Sequence, residues 1–520
     1  MRKSRTPWIS PLLAAALALA IAGWRIDAPS LWRDEAVTAD LTGRSFPDMV
    51  RTLAHIDAVH GFYYLLMRLP AALFTGHEWL LRLPSALAAA ATAALTVLLA
   101  RHLAAPSPDE ADPDGMGPDG MGPDGTGPNG ADPARTGPWW TGSERLGLTA
   151  GVLVAISPIM SRYGQEARQY TLVAALAVLA TYLLVRAGSR RGWTWYALAV
   201  AALGFTHLFA LFLLPAHLAT VLLERRPWRP WATATGLALA PVAVLAVVAL
   251  RQSYQISWIT SPTGGDVWHL LGSLSLVTVL VLPAGILLAL ALWKWSPLTA
   301  TALPWLVLPP GLLLAISLVS PIYVERYVLY CVPAACLLLA AGLDRLPWQA
   351  ALPLVLVAAV LTVPRQLQIR DPHKARIDDL RRLAAVLRAH EREGDAVVYT
   401  DPRFRPVTAT YPEAFAPLDD VLLARTPDAA ADLKGRELPR SAHATALAGT
   451  SRVWLIHNTL AFLPGSDSGA RAKRRLLNSP AFRRLGGWRY HGGTVTLFER
   501  VAVPSRVEMS APVPVPKSSQ

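Results

Sequence analysis

Apolar residues in this chain fall in blocks of about 17 to 25, the length that crosses a hydrocarbon core of about 30 Å at about 1.5 Å per residue. Such blocks occupy residues 8–24, 79–99, 146–160, 170–186, 231–250, 267–293, 298–319 and 347–363, with one more running in to Asp344. The stretch 193–223 is basic at both ends, which predicts two short helices turning near Gly204 to His207 and brings the total to about eleven crossings. Two segments near the N-terminus follow a different rule. In 45–56, Ser45 stands at a helix start, and Phe46, Val50, Leu53 and Ile56 recur at helical spacing opposite Asp48, Arg51 and His55; this predicts an amphipathic helix on the membrane surface. Residues 60–74 are apolar but interrupted by Arg68 and Pro70, so they read as an interfacial or re-entrant helix.

After Pro364 the pattern changes. Residues 377–390 alternate as an amphipathic helix, and 396–399, 453–456 and 494–498 read as short buried strands. The fold class is therefore a polytopic α-helical membrane protein, its helical domain over 1–363, with a small C-terminal α/β domain over 371–500. Two segments lack the apolar content to bury a core: a run at 104–141 built on the repeat Pro-Asp-Gly-Met-Gly (113–117 and 118–122), and a Pro-, Val- and Ser-rich tail at 503–520. Both read as disordered.

Composition agrees with a membrane protein, at 53% hydrophobic, 16% charged and mean hydropathy +0.33. The formal charge of +13 comes with basic residues at alternate span ends: Arg2, Arg101, Arg186, Arg225, Lys294 and Arg345. By the positive-inside rule the N-terminus and the 104–141 insertion are cytoplasmic, the C-terminal domain lies outside the cytoplasm, and nucleic acid is not needed to explain the charge. The basic, apolar start reads as an uncleaved signal anchor. The abundance of arginine and alanine reads as genome composition. Cys331 and Cys336, five residues apart in one apolar segment, face different ways on a helix and propose neither disulfide nor zinc.

Three segments distant in sequence combine acid, arginine and aromatic residues at what topology makes the outer face: 30–37, 161–170 and 320–327. The first holds the pair Asp34–Glu35 between Trp32 and Arg33 on one side and Ala36 on the other. A carboxylate so placed can take a proton from an acceptor hydroxyl while arginines hold an anionic lipid. Span interiors carry almost no charge, which argues against an ion-coupled pathway. The C-terminal domain shows no metal-ligand spacing and no glycine-rich phosphate loop; no cluster in the chain demands a metal, though a lipid phosphate leaves room for a divalent cation held through its own oxygens.

With these segments the chain resembles the polytopic GT-C glycosyltransferases of family 39, the bacterial relatives of protein O-mannosyltransferases and of the lipid A aminoarabinose transferase. The resemblance spans about residues 1–363 and rests on Leu31-Trp32-Arg33-Asp34-Glu35, Asp57-Ala58-Val59-His60-Gly61-Phe62-Tyr63-Tyr64, Gln165-Glu166-Ala167-Arg168-Gln169-Tyr170 and Tyr323-Val324-Glu325-Arg326-Tyr327. Many relatives carry His-Pro-Pro where this chain has His60-Gly61-Phe62. The resemblance implies a hexosyl- or pentosyltransferase, a mannosyltransferase among its members. It implies a polyprenyl-phosphate-sugar donor in the cell membrane and an acceptor that is protein, lipid or polysaccharide. By the same resemblance Asp34 and Glu35 are the catalytic pair, with Asp34 as base, while Arg33, His60, Tyr63, Gln165, Glu166, Arg168, Tyr170 and Arg326 contact donor or substrate.

Plain structural roles compete at several positions. His60 can cap the interfacial helix, His207 and His217 read as satisfied core histidines, Arg162 as a span-end residue, and Glu325–Arg326 as an ion pair. A lipid-linked-sugar flippase or transporter is the alternative; it calls for discontinuous spans and internal symmetry.

Overall fold

The structure, a computed structural model, describes residues 8–73, 77–105, 142–458 and 467–501. Arg2, the tail at 503–520 and all but the first two residues of the 104–141 insertion lie outside them. The chain divides into two compact units. The first comprises Met1–Leu380 with Pro406–Thr410 and Ala431–Leu433; the second comprises Arg381–Arg405, Tyr411–Ala430 and Lys434–Gln520.

The first unit is helical. Helix α1 (Ile9–Gly23) leads through a loop to α2 (Arg33–Gly43), α3 (Phe46–His55), α4 (Gly61–Ala72) and α5 (Glu78–Leu103). There follow α6 (Gly142–Ile156), α7 (Pro158–Gly164), α8 (Tyr170–Arg186), α9 (Arg190–Thr206), α10 (Leu213–Leu223) and α11 (Trp228–Arg251). The unit closes with α12 (Gly264–Leu274), α13 (Val281–Trp293), α14 (Pro297–Ser317), α15 (Val332–Leu343) and α16 (Trp348–Gln368). Among the described residues five helices are long and apolar enough to cross a membrane, seven if each bent pair is one span. Shorter apolar helices supply further candidates, α1 and α8 among them.

Two of the expected spans are not continuous. Residues 146–160 break between α6 and α7, at 61°, where Pro158 opens the second piece after the extended Ser157. Residues 267–293 break between α12 and the following helix, at 81°, beside the left-handed Leu276. The helix start read at Ser45 is a true cap, and α12 carries another. The Ser45 side chain accepts from the Asp48 N–H, and Thr263 and Asp266 cap α12 reciprocally.

Alanine is put to structural use, beyond any bias of composition. Ala14, Ala18 and Ala22 line one face of α1, and Ala86, Ala89, Ala90 and Ala93 line α5, all buried. Against them packs α6, whose Gly147 and Gly151 repeat at a spacing of four. A Cβ on Gly151 would lie 2.4 Å from Val97 Cγ2 and 2.8 Å from Ala14 Cβ, so the three helices approach at a distance only small residues permit. By contrast α16 leaves Leu352, Leu356, Val357 and Val360 exposed, the face of a helix that meets lipid.

The second unit carries a five-stranded sheet in the order β2-β1-β5-β7-β6. Strand β1 (Asp395–Tyr399) runs parallel to β2 (Leu418–Asp419) and to β5 (Arg452–Asn458). A separate two-stranded pair joins β3 (Leu423–Arg425) and β4 (Arg436–Glu437). Strand β6 (Phe482–Tyr490) and β7 (Gly493–Arg500) complete the sheet antiparallel. The three segments legible as strands are its central β1, β5 and β7. The edge strands are too short or, in β6, too exposed to show an apolar run. Residues 371–379, read with this domain from sequence, group with the helical unit.

Candidate active site

Arg82 organises the loop that follows α1. It is fully buried on α5 and makes five hydrogen bonds within that loop and the start of α2: Nε to Glu35 Oε1 (2.8 Å), Nη2 to Glu35 Oε2 (2.8 Å) and Ser30 O (3.1 Å), and Nη1 to Ile26 O (2.8 Å) and Pro29 O (2.7 Å). A guanidinium has five N–H groups, so one side chain fixes a loop of about ten residues. Glu35 extends the tie, its Oε1 also accepting the Ala167 N–H at 2.9 Å. Thr38 Oγ1 donates to Ala167 O at 3.1 Å, and Ser85 Oγ on α5 to Arg168 O at 3.1 Å. The loops at 30–35 and 165–169 are thus held together by α5.

Asp34 lies in the first turn of α2, where the helix dipole favours a carboxylate. It is half-buried, and among the described residues no group donates a hydrogen bond to its carboxylate. The start of the helix is held from outside. Asp378 accepts from the Arg33 N–H (3.3 Å), Nε (2.8 Å) and Nη2 (2.9 Å).

Arg168 stands beside Asp34. Its Nη1 reaches Asp34 O and Tyr64 Oη, each at 3.4 Å, and its Nη2 meets His60 Nε2 at 3.0 Å. Its Nε is buried and has no hydrogen-bond partner among the described residues. Behind His60 lies Asp57, whose Oδ1 is 2.7 Å from His60 Nδ1 and whose Oδ2 accepts from the Tyr64 hydroxyl. Asp57 is buried, and the two hydrogen bonds it accepts, with the Arg168 charge nearby, favour its ionised form. Burial works to lower Arg168, yet the phenols and carboxylates around it, Tyr64 and Asp34 foremost, hold its proton more firmly than in water.

The third segment arrives through Tyr170, whose hydroxyl accepts from Arg326 Nε at 2.9 Å. The Arg326 guanidinium lies 5.9 Å from the Tyr170 ring centre and 5.7 Å from those of Trp258 and Tyr327. Both Arg168 and Arg326 feel the charge of Asp34.

The structure therefore gathers Asp34, His60, Arg168, Tyr170 and Arg326 from four separate stretches. Tyr63 is buried next to Tyr64 with its hydroxyl unpartnered among the described residues. The other expected contact residues have different surroundings. Glu35 is sealed by Arg82, and Arg33 is engaged by Asp378. Gln165 is fully buried, its amide donating to Ala22 O (2.9 Å) and Trp24 O (2.8 Å) at the end of α1. Glu166, also fully buried, lies 3.5 Å from Arg162 Nε and 3.4 Å from Arg376 Nε. His217 is satisfied by Thr181 and Tyr196, each at 3.0 Å, whereas His207 Nε2 has no hydrogen-bond partner among the described residues.

Sequence reading passed over Arg82 and Asp378, and gave Asp57 no role beyond its place in a motif. Only Arg82 left a direct signal, a lone cation inside an apolar stretch. Among the described residues, no group of three or more His, Cys, Asp or Glu is placed to hold a metal.

No protein-family model matches this chain, and no curated protein matches it. Its fold is similar to that of ArnT from Cupriavidus metallidurans bound to undecaprenyl phosphate, with TM-score 0.60 and 14% identity, over 95% of this chain and 98% of that one. The apo structure of the same protein gives TM-score 0.59 at 14% identity and the same coverage. The shared fold is mostly α-helical, with several long apolar helices and a small strand-containing region toward the C-terminus.

Proposed function

We propose that this chain is a membrane glycosyltransferase that moves a hexose or pentose from a polyprenyl-phosphate donor to an acceptor hydroxyl on the outer face of the membrane, with inversion. Mannose is the hexose that the family resemblance puts first. The observation that carries the reading is the open carboxylate of Asp34 beside two arginines, on a fold similar to that of ArnT. Asp34 takes the proton of the acceptor hydroxyl as its oxygen bonds to the anomeric carbon. The bond from that carbon to the phosphate oxygen breaks, and polyprenyl phosphate departs with the electron pair. The proton remains on Asp34 until water removes it.

Arg326 and the unpartnered Nε of Arg168 supply donors for the phosphate, where two parallel N–H bonds match its oxygens. Tyr170 orients Arg326. Tyr63 packs beside Tyr64 next to this cluster, while Arg33, Glu35, Gln165 and Glu166 hold the loops in register. The two bent helix pairs are a feature transporters also use, but the open ionisable groups gather in the loops rather than along the spans.

Purified protein incubated with radiolabelled polyprenyl-phosphate-sugar is expected to consume the donor. Movement of intact donor across vesicles without consumption would replace this reading by that of a flippase. Within the same assay, Arg168→Ala is expected to raise the donor KM on the order of 10- to 100-fold, the worth of a hydrogen bond to a charged group. Arg168→Lys keeps charge without the planar fork and should fall between. Donor saturation equal to wild type in both variants would remove Arg168 from the phosphate site.

A further inference from the structure

We propose that Asp57 is a positioning residue. Through one tautomer of His60 it holds the Arg168 guanidinium in the orientation that leaves Nε free for the donor phosphate. The inference rests on the phosphate reading given above and extends it to a residue two shells from the ligand.

Its chemistry follows from who can donate. Arg168 has no acceptor, so the 3.0 Å contact of its Nη2 with His60 Nε2 requires a lone pair on that nitrogen. The other ring nitrogen faces an Asp57 carboxylate oxygen at 2.7 Å and must carry the hydrogen. His60 is therefore neutral, with Nδ1 protonated, and both of its nitrogens are committed. Such a ring is in no position to serve as the base for an acceptor hydroxyl. The second Asp57 oxygen accepts from the Tyr64 hydroxyl, and that same hydroxyl lies 3.4 Å from Arg168 Nη1. One carboxylate thus reaches the guanidinium by two routes, and Arg168 is gripped at both of its terminal nitrogens.

The backbone is shaped for this task. Asp57 has φ +65°, in the left-handed region, and is buried. Glycine would adopt that conformation freely, but only an acid supplies two acceptors there. The turn is pinned from another helix: Gln252, just past α11, accepts the Ala58 N–H and donates to Leu53 O, each at 3.0 Å. The His60 N–H donates to Asp57 O at 3.1 Å, which sets ring and carboxylate at the right separation.

Asp57→Asn puts an amide where Tyr64 and His60 both need an acceptor, so one of the two routes is lost. The test measures binding of a polyprenyl phosphate to the full-length protein in detergent, for wild type, Asp57→Asn, Arg168→Ala and the double variant, each checked for monodispersity. Asp57→Asn is expected to weaken binding about 3- to 10-fold, and to add little once Arg168 is already alanine. Unchanged binding in Asp57→Asn overturns the proposal, and so does a full additional loss in the double variant.

Should Asp57→Asn fail to fold, Tyr64→Phe removes one route while leaving the carboxylate paired with His60. It is expected to weaken binding by a smaller factor and, again, not beyond Arg168→Ala; a loss additive with Arg168→Ala overturns the relay. If Arg168→Ala itself binds like wild type, the phosphate reading of Arg168 is what fails. The relay is then decided by nitrogen-15 NMR of the histidines, with the His60 signals identified from His60→Gln. Protonated Nδ1 and bare Nε2 are expected; a ring protonated at Nε2 overturns it.

Discussion

Asp34→Asn is expected to lower turnover by about 100- to 10,000-fold, the usual worth of a positioned general base. The variant protein should fold as before. Among the described residues nothing donates to the Asp34 carboxylate, so asparagine takes its place without stranding a partner. Binding of polyprenyl phosphate should be unchanged or somewhat tighter, since removing a negative charge near Arg168 and Arg326 favours an anion. The check is a donor-consumption assay run beside a binding measurement. Near-normal turnover with normal binding would take Asp34 out of the catalytic role.

The largest expected effect on the folded state lies at Arg82. Arg82→Met leaves the Glu35 carboxylate without its cation in a fully buried position and removes the donor from Ile26, Pro29 and Ser30 carbonyls. Breaking one side of a buried ion pair costs about 3–5 kcal/mol, a large share of the roughly 5–15 kcal/mol by which native proteins are stable. Little monodisperse protein should be recovered in detergent, and what remains should unfold at clearly lower temperature than wild type. The pair Arg82→Met, Glu35→Leu removes both charges together and is expected to unfold at higher temperature than Arg82→Met alone. Equal stability of wild type and Arg82→Met would mean that the loop is held by other means.

These two residues mark what a local pattern displays and what it hides. The loop at 30–37 was legible because an acid pair with arginine and tryptophan stands just after the first apolar block. Which acid is open was not legible from the pattern, since it depends on a cation 47 positions away. Gln165 and Glu166 looked like ligand contacts for the same reason, being polar residues in an outer motif. Apart from Arg162, four residues before Glu166, their partners lie at the end of α1 and in the stretch just after α16, contacts that no local pattern encodes. Asp57 was quoted as part of a motif, but its left-handed backbone and its pairing with His60 arise only on folding. The long apolar stretches themselves were plain from hydrophobic length. Their breaks were not, because Pro158 is a common residue at a helix start and nothing in the side chain of Leu276 demands a positive φ.

Arg82 also sets an order on biogenesis. The segment from Ile26 to Glu35 leaves the ribosome well before its anchor, which sits near the beginning of α5. Until α5 is in place, the Ser30, Pro29 and Ile26 carbonyls and the Glu35 carboxylate have only water or headgroups to bind. Asp34 thus acquires its surroundings late, after the first of the long apolar helices, α5, has entered the bilayer. A nascent chain ending before Arg82 would carry Asp34 in an unformed loop, open to protease where the finished protein is closed.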